Sequence, residues 1–252
     1  LKVKIVDGVK LSIIIPAYNE EKLLPQCLKS IFAARLPESH EIIVVNNASV
    51  DRTEEVARSF SDVRVVNESA RGANRARQAG FLASSGEILV YFDADTVIPA
   101  DWFSNVLEIF KKDPKLIGAT GPYHYGKISK IAGLLVWLYD HVIIPGFEWI
   151  WQHIFRQGGV MLIGGNFAVK RTALLAIGGF DTKIDFFGDD IDLTRRLAKV
   201  GKIRFINKLS VYSSPRRFEK EGAIRTSFKY IINFFSEWIF KRPVHGGHKD
   251  IR

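Results

Sequence analysis

One cysteine in 252 residues rules out an internal disulfide framework. Cys27 stands among apolar residues of a predicted helix, where it reads as a core thiol, and so sparse a use of cysteine fits a reducing, cytoplasmic setting. Long apolar runs are missing too. A spanning helix needs about 18 such residues, and the most apolar stretch, ISKIAGLLVWLYDHVIIPGFEWIWQHIF at 128–155, is broken by Asp140, Pro145-Gly146 and Glu148. The opening LKVKIVDGVK is too short and too polar to read as a secretory leader. Acidic residues are in deficit, 27 against 36 basic, for a net charge of +9. That excess suits a partner bearing phosphates: a nucleotide, a nucleic acid or an anionic membrane surface. At the strand ends that form the expected crevice no basic stripe is interleaved with stacking aromatics, so no nucleic acid is expected among the partners.

A hydrophobic fraction of 47% excludes a disordered chain, and the length suits one large α/β domain with elaborations. Short β-branched runs recur at 11–16 (LSIIIP), 41–46 (EIIVVN), 63–66 (VRVV) and 87–92 (EILVYF). Runs of this kind belong to sheets covered on both faces. Helical stretches separate them: Glu20 to Ala34, Asp51 to Phe60 and Ala73 to Ser84, with Asp51 and Glu54 spaced as a capping box. The alternation predicts a doubly wound, mostly parallel sheet flanked by helices.

In such sheets ligands collect at the carboxyl ends of strands. Polar residues stand at three of those ends: Tyr18, Asn19 and Glu20 after the first strand, Asn46 and Asn47 after the second, and Asp93 and Asp95 after the run LVYF. Together they describe one nucleotide-sized crevice, although Asp also closes turns and caps helices.

The series IIIPAYNEEKLL, EIIVVNNASVDRT, GANRARQAGFLASSGEILVYFDADT, GGNFAVKRTALLAIGGFD and GDDIDLTRRL, over about residues 11–218, resembles glycosyltransferase family 2, inverting nucleotide-sugar transferases of the GT-A fold. The resemblance implies a Rossmann-like, mostly parallel central sheet, and transfer of a sugar from a nucleoside diphosphate to an acceptor hydroxyl. It places the donor against Pro16, Ala17, Tyr18, Glu20, Asn47, Arg71 and the Asp93-Ala94-Asp95 turn, with Gly165 and Asn166 beside the sugar. Asp95, with Asp93 beside it on the ribose or base side, would hold Mg2+ or Mn2+, since hard cations need few protein carboxylates when phosphates supply the other oxygens. Asp190, second of the pair in GDDIDL, matches the family's general base, with Asp189 orienting the acceptor or shaping the loop. Adjacent acids at a helix start also simply complement its dipole. Asp192 reads as a structural or surface acid, and Gly178-Gly179 as a turn.

Arg216 and Arg217 stand one strand further on, where they serve equally as an exposed basic pair or as ligands of a diphosphate or acceptor phosphate. Asn46-Asn47 replaces the Asp-Asp of many relatives. An amide at Asn47 suits uracil, whereas guanine, with two adjacent N–H donors, asks for a carboxylate; a UDP-sugar is therefore the expected donor, with Arg71 packing on or bonding to the base.

The domain is expected at 1–218, its nucleotide-binding half at about 11–115 and its acceptor half at about 116–218, followed by an amphipathic helix and tail at 219–252. Residues 224–242 place Ile224, Phe228, Ile231, Ile232, Phe235 and Ile239 at helical spacing among basic residues. Together with 128–155 this suggests either packing on the domain or peripheral binding to an anionic membrane, with a glycan, lipid or envelope polysaccharide as acceptor. His245 and His248 read as part of a flexible tail, or as contributors to a metal site. Two other classes share parts of the pattern. A glycoside hydrolase also needs paired carboxylates, and a non-catalytic membrane or nucleic-acid binder would explain the charge. Neither accounts for a nucleotide-type crevice with Asp-Ala-Asp at a strand end.

Overall fold

The computed structural model describes residues 11–126, 128, 130–138, 142–143, 146, 149, 162–184 and 188–222. Strand β1 (Leu11–Ala17) leads to helix α1 (Leu24–Ala33), β2 (His40–Asn47), α2 (Thr53–Arg58), β3 (Val63–Glu68), α3 (Ala73–Ala83) and β4 (Ile88–Phe92). After a two-residue strand β5 (Thr96–Val97) come α4 (Trp102–Lys112), β6 (Leu116–Thr120), β7 (Tyr123–Tyr125) and α5 (Lys130–Leu138). The described chain closes with β8 (Asn166–Lys170), α6 (Arg171–Ala176), α7 (Asp189–Leu197), β9 (Lys202–Phe205), β10 (Val211–Ser213) and α8 (Arg216–Glu221).

Seven strands form one sheet in the order β3-β2-β1-β4-β8-β6-β9, parallel except where β8 runs antiparallel to both β4 and β6. The continuous apolar runs serve two faces. In β1, Ile13 and Ile15 join the cluster that takes in α1 and α4, through Leu24, Leu28, Ile31, Trp102 and Phe103. Ile14, pointing the other way, joins Ala76 and Phe81 of α3, Leu174 of α6 and Leu193 of α7. Strands β2 and β4 split in the same way, Val44 and Phe92 to one side, Val45 and Tyr91 to the other. This is why the strands lack polar alternation.

The expected helices are present, the first two with later starts and the third from Ala73 as expected. The first begins at Leu24, not Glu20: Pro25 sits in its opening turn, and Glu20 to Leu23 form a separate turn in which Glu20 O accepts from Leu23 N and Leu24 N. The capping box is not made. Asp51 accepts from Thr53 N at 3.0 Å and Glu21 N at 3.1 Å rather than from Glu54 N, and the Glu54 carboxylate accepts from Arg58, Asn46 and Asn67. Helix α8 runs across the domain boundary expected at residue 218. Residues 224–242, His245 and His248 lie outside the described ones, as does half of 128–155.

A second, three-stranded sheet, β5-β10-β7, was not legible in the sequence. Its strands come from three distant parts of the chain, and it carries Tyr123 and, just past β10, Arg216 to the carboxyl end of β4.

Candidate active site

The last paired residue of β4, Phe92, lies opposite Asn166, the first of β8. Because β8 is antiparallel, its beginning meets the end of β4, and the two glycines that precede it stand at the carboxyl edge of the sheet. The ladder continues one step beyond the strands, Asp93 N donating to Gly165 O at 3.1 Å. A β-carbon on Gly165 would fall on the Asp93 carboxylate and the Tyr123 hydroxyl; one on Gly164 would fall on Asp190 Oδ1. Only glycine permits either approach.

Asp190 lies in the first turn of α7, where its Oδ2 accepts from Gly164 N at 3.0 Å. Burial first, and then the charge of Asp189 beside it, push its carboxyl well above the ordinary range, against the pull of Arg77 and the Gly164 N–H. Asp189 is engaged differently. Its Oδ2 accepts from Nη1 of Arg77 in α3, a residue only 7% exposed. Burial works against the Arg77 charge, but Asp189, Asp190 and Asp93 together hold it firmly protonated. Arg77 was not anticipated, since a helical arginine reads as a surface residue. The spacing of Asn74, Arg77 and Phe81 on one buried stripe was the signal available.

On the donor side, Asp93 Oδ2 accepts from Tyr123 Oη at 3.4 Å, and Asp95 Oδ2 lies 3.1 Å from Arg216 Nη2. Burial, then the Asp93 charge, raise the Tyr123 phenol well above its usual range. Ala94 between the two acids is buried, so this turn offers the crevice carboxylates and backbone. Behind it the Cys27 thiol is buried as expected, 3.7 Å from Asp93 O, and pushed up by burial and then by Asp95 and Asp93. Asp93 and Asp95 are the hard oxygen donors a divalent cation takes. Among the described residues no group of three or more His, Cys, Asp or Glu could hold a metal, so phosphate oxygens would have to complete the shell. The donor set fits Mg2+ or Mn2+ on those terms.

Of the predicted donor residues, Pro16 and Ala17 end β1, and Tyr18, which follows, lies under the Arg71 guanidinium, 4.1 Å from ring centroid to Cζ. Arg71 therefore stacks on Tyr18. Asn47 donates to Glu68 O at 3.2 Å and Ala70 O at 2.8 Å and accepts from Gly72 N at 2.9 Å, which ties it to the loop carrying Arg71. Glu20, 4% exposed, pairs with both terminal nitrogens of Arg216. The backbone of Arg217 follows in α8, and its side chain lies outside the described part.

Asn166, expected beside the sugar, is fully buried, with Nδ2 bridging Gly121 O at 3.0 Å and Leu209 O at 2.8 Å, so that it fastens β8 to neighbouring turns. Asp192 pairs with Arg195 and Arg196 as a structural acid, and Gly178 and Gly179 make the expected turn with φ of 78° and 83°.

A sheet of this order with acids at the β4 end and at the α7 start defines a GT-A transferase. Residues 12–177 match the family model "Glycosyl transferase family 2", and the chain belongs to that family. It is 32% identical over 197 residues to a poly-beta-1,6-N-acetyl-D-glucosamine synthase of Staphylococcus epidermidis, covering 76% of this chain and 46% of that protein. The chain spans about half the length of several curated relatives it matches. Among solved structures, the mannosyltransferase PcManGT from Pyrobaculum calidifontis, in complex with GDP-Man and Mn2+, is similar with a TM-score of 0.69 at 22% identity, over 95% of this chain and 66% of that one. Staphylococcus aureus TarS, in complex with UDP-GlcNAc, is similar with a TM-score of 0.63 at 16% identity, over 89% and 67%.

Proposed function

We propose that this chain moves a sugar from a UDP-sugar to an acceptor hydroxyl with inversion at the anomeric carbon. The observation that carries the reading is the position of two consecutive glycines, Gly164 against Asp190 and Gly165 against Asp93, which brings a base and a donor-side acid to one edge of the sheet. Asp190 takes the acceptor proton on a carboxylate oxygen while Oδ2 keeps its bond from Gly164 N. The freed oxygen bonds to the anomeric carbon as the bond to the diphosphate breaks, and the nucleoside diphosphate leaves with the electron pair. Asp95 and Asp93 would hold a divalent ion, which when bound offsets charge gathering on the leaving diphosphate. Arg216 adds a second cation on that side. The PcManGT structure, with Mn2+ and GDP-Man, supports metal use, and TarS with UDP-GlcNAc supports a nucleotide-sugar donor.

Asn47 favours uracil. Both N–H groups of its amide serve the β3–α3 loop, and its oxygen, bonded once by Gly72, keeps one acceptor position for the single N–H that uracil presents. The acceptor is presented at an anionic membrane surface, which suits a chain of charge +9 with Leu134 and Trp137 of α5 more than half exposed. No helix among the described residues is long and apolar enough to cross a membrane.

The test is turnover of UDP-N-acetylglucosamine, UDP-glucose and GDP-mannose with and without Mn2+. Metal-dependent release of UDP is the expected result. Release of sugar from a simple glycoside, with no turnover of any nucleotide sugar, would instead indicate a hydrolase.

A further inference from the structure

Arg77 has no part in the transfer as described, yet it is the buried cation nearest the two acids of α7. It projects from α3, whose Ala76 and Gly80 lie against the central sheet; a β-carbon at Gly80 would fall on Ile14. The arginine is therefore held by a helix with no room to shift toward the strands. Its Nη1 donates to Asp189 and lies 3.4 Å from Asn74 Oδ1, and Asn74, 1% exposed, is itself anchored through Nδ2 to Asp181 O at 2.9 Å. Nη2 stands 2.8 Å from where a β-carbon of Gly164 would lie, the same point that falls on Asp190 Oδ1. One guanidinium thus donates to Asp189 with one arm and sets the other beside Gly164, whose N–H holds Asp190.

Two adjacent carboxylates at a helix start repel each other, and without a partner each would turn to solvent. Resting on the reading of Asp190 as the base, we propose that Arg77 is its positioning residue: it ties Asp189 to α3, fixes the first turn of α7, and so holds Asp190 on the Gly164 N–H with one oxygen free for the acceptor. Arginine suits this task because its planar fork reaches two directions at once; a lysine ammonium carries the charge but not the fork. Displacement of a reacting group by about 1 Å is enough to cost about a hundredfold in rate.

The test compares Arg77→Met, Arg77→Lys, Asp189→Asn and Asp190→Asn. UDP binding in the presence of Mn2+ is read by calorimetry. Turnover is read with whichever of UDP-N-acetylglucosamine, UDP-glucose and GDP-mannose the native chain hydrolyses fastest. Arg77→Met should lower kcat about tenfold or more with the Kd for UDP within about twofold of native, and Arg77→Lys should recover part of the loss. Combining Arg77→Met with Asp189→Asn should cost no more than the worse single change, because both break one contact. Native kcat in Arg77→Met overturns the proposal, and so does a UDP affinity that falls in step with kcat, which would make Arg77 a donor ligand. If Arg77→Met does not fold, Asp189→Asn carries the same split in a chain that keeps the arginine, and full turnover there also overturns it. The Asp190→Asn arm separates the two readings: activity retained in that variant removes the base assignment itself, whereas an inactive Asp190→Asn beside a fully active Arg77→Met removes only the positioning role.

Discussion

Arg216 reaches Glu20 with both terminal nitrogens, Nη1 to Oε2 at 2.9 Å, and its Nη2 lies 3.1 Å from Asp95 Oδ2. A residue just past the last strand thus clamps the loop after β1 to the acidic turn after β4. The Glu20 side chain is only 3% exposed. Removing one partner of such a pair leaves an uncompensated buried charge. Arg216→Ala should therefore lower unfolding stability by about 3 kcal/mol, seen as a lower urea midpoint, and should weaken UDP binding. An unchanged midpoint would show that the pair is solvated in solution.

If Asp190 is the base, Asp190→Asn should cut kcat by about a hundredfold or more while leaving UDP binding intact, since the amide keeps the shape but cannot take the proton. A variant with more than about a tenth of native kcat would reassign the role.

The same substitution has a pH-dependent effect on stability. Burial, and then Asp189, hold the Asp190 carboxyl well above the value near about 4 that it has in the unfolded chain. The native state therefore binds this proton more tightly. The stability so contributed is full below the unfolded value and is lost as pH rises through the raised native one. Asp190→Asn should be more stable than the native chain at pH 7, and the difference should fade near pH 4. Urea midpoints at the two pH values check this, and an equal difference at both would contradict it.

Asp95→Ala should remove metal-dependent UDP binding, and excess chelator should stop turnover of the native chain. Full turnover in chelator would count against a metal.

Gly165→Ala places a methyl group on the Asp93 carboxylate and the Tyr123 hydroxyl. The donor-side acid must then move, and UDP affinity should fall about tenfold, a loss of the size expected for one charge-assisted contact. Affinity equal to native, measured by calorimetry, would show that Asp93 does not face the nucleotide.

Membrane presentation of the acceptor predicts binding to anionic vesicles that salt weakens. Leu134→Ser with Trp137→Ser should reduce it and spare UDP release from the donor. Equal binding to neutral and anionic vesicles would argue against a charge-guided surface.

The sequence by itself determined the β-α alternation of the first half, because runs such as IIIP, IIVV and ILVYF are apolar on both faces and can sit only inside a covered sheet. It determined the strand-end acids too, since an Asp directly after a buried strand has nowhere to lie but the sheet's edge. Tertiary structure decided what each polar group meets. The antiparallel direction of β8 depends on where its neighbours run, not on its own residues, and that direction sets Gly164 and Gly165 against the two acids while burying Asn166. The pairing of Arg77 with Asp189 joins residues far apart in the chain, and that of Arg216 with Glu20 joins the two ends of the described chain. Local pattern is silent on such contacts, because their energy comes from long-range packing that excludes water and so strengthens the charge pairings it brings within reach.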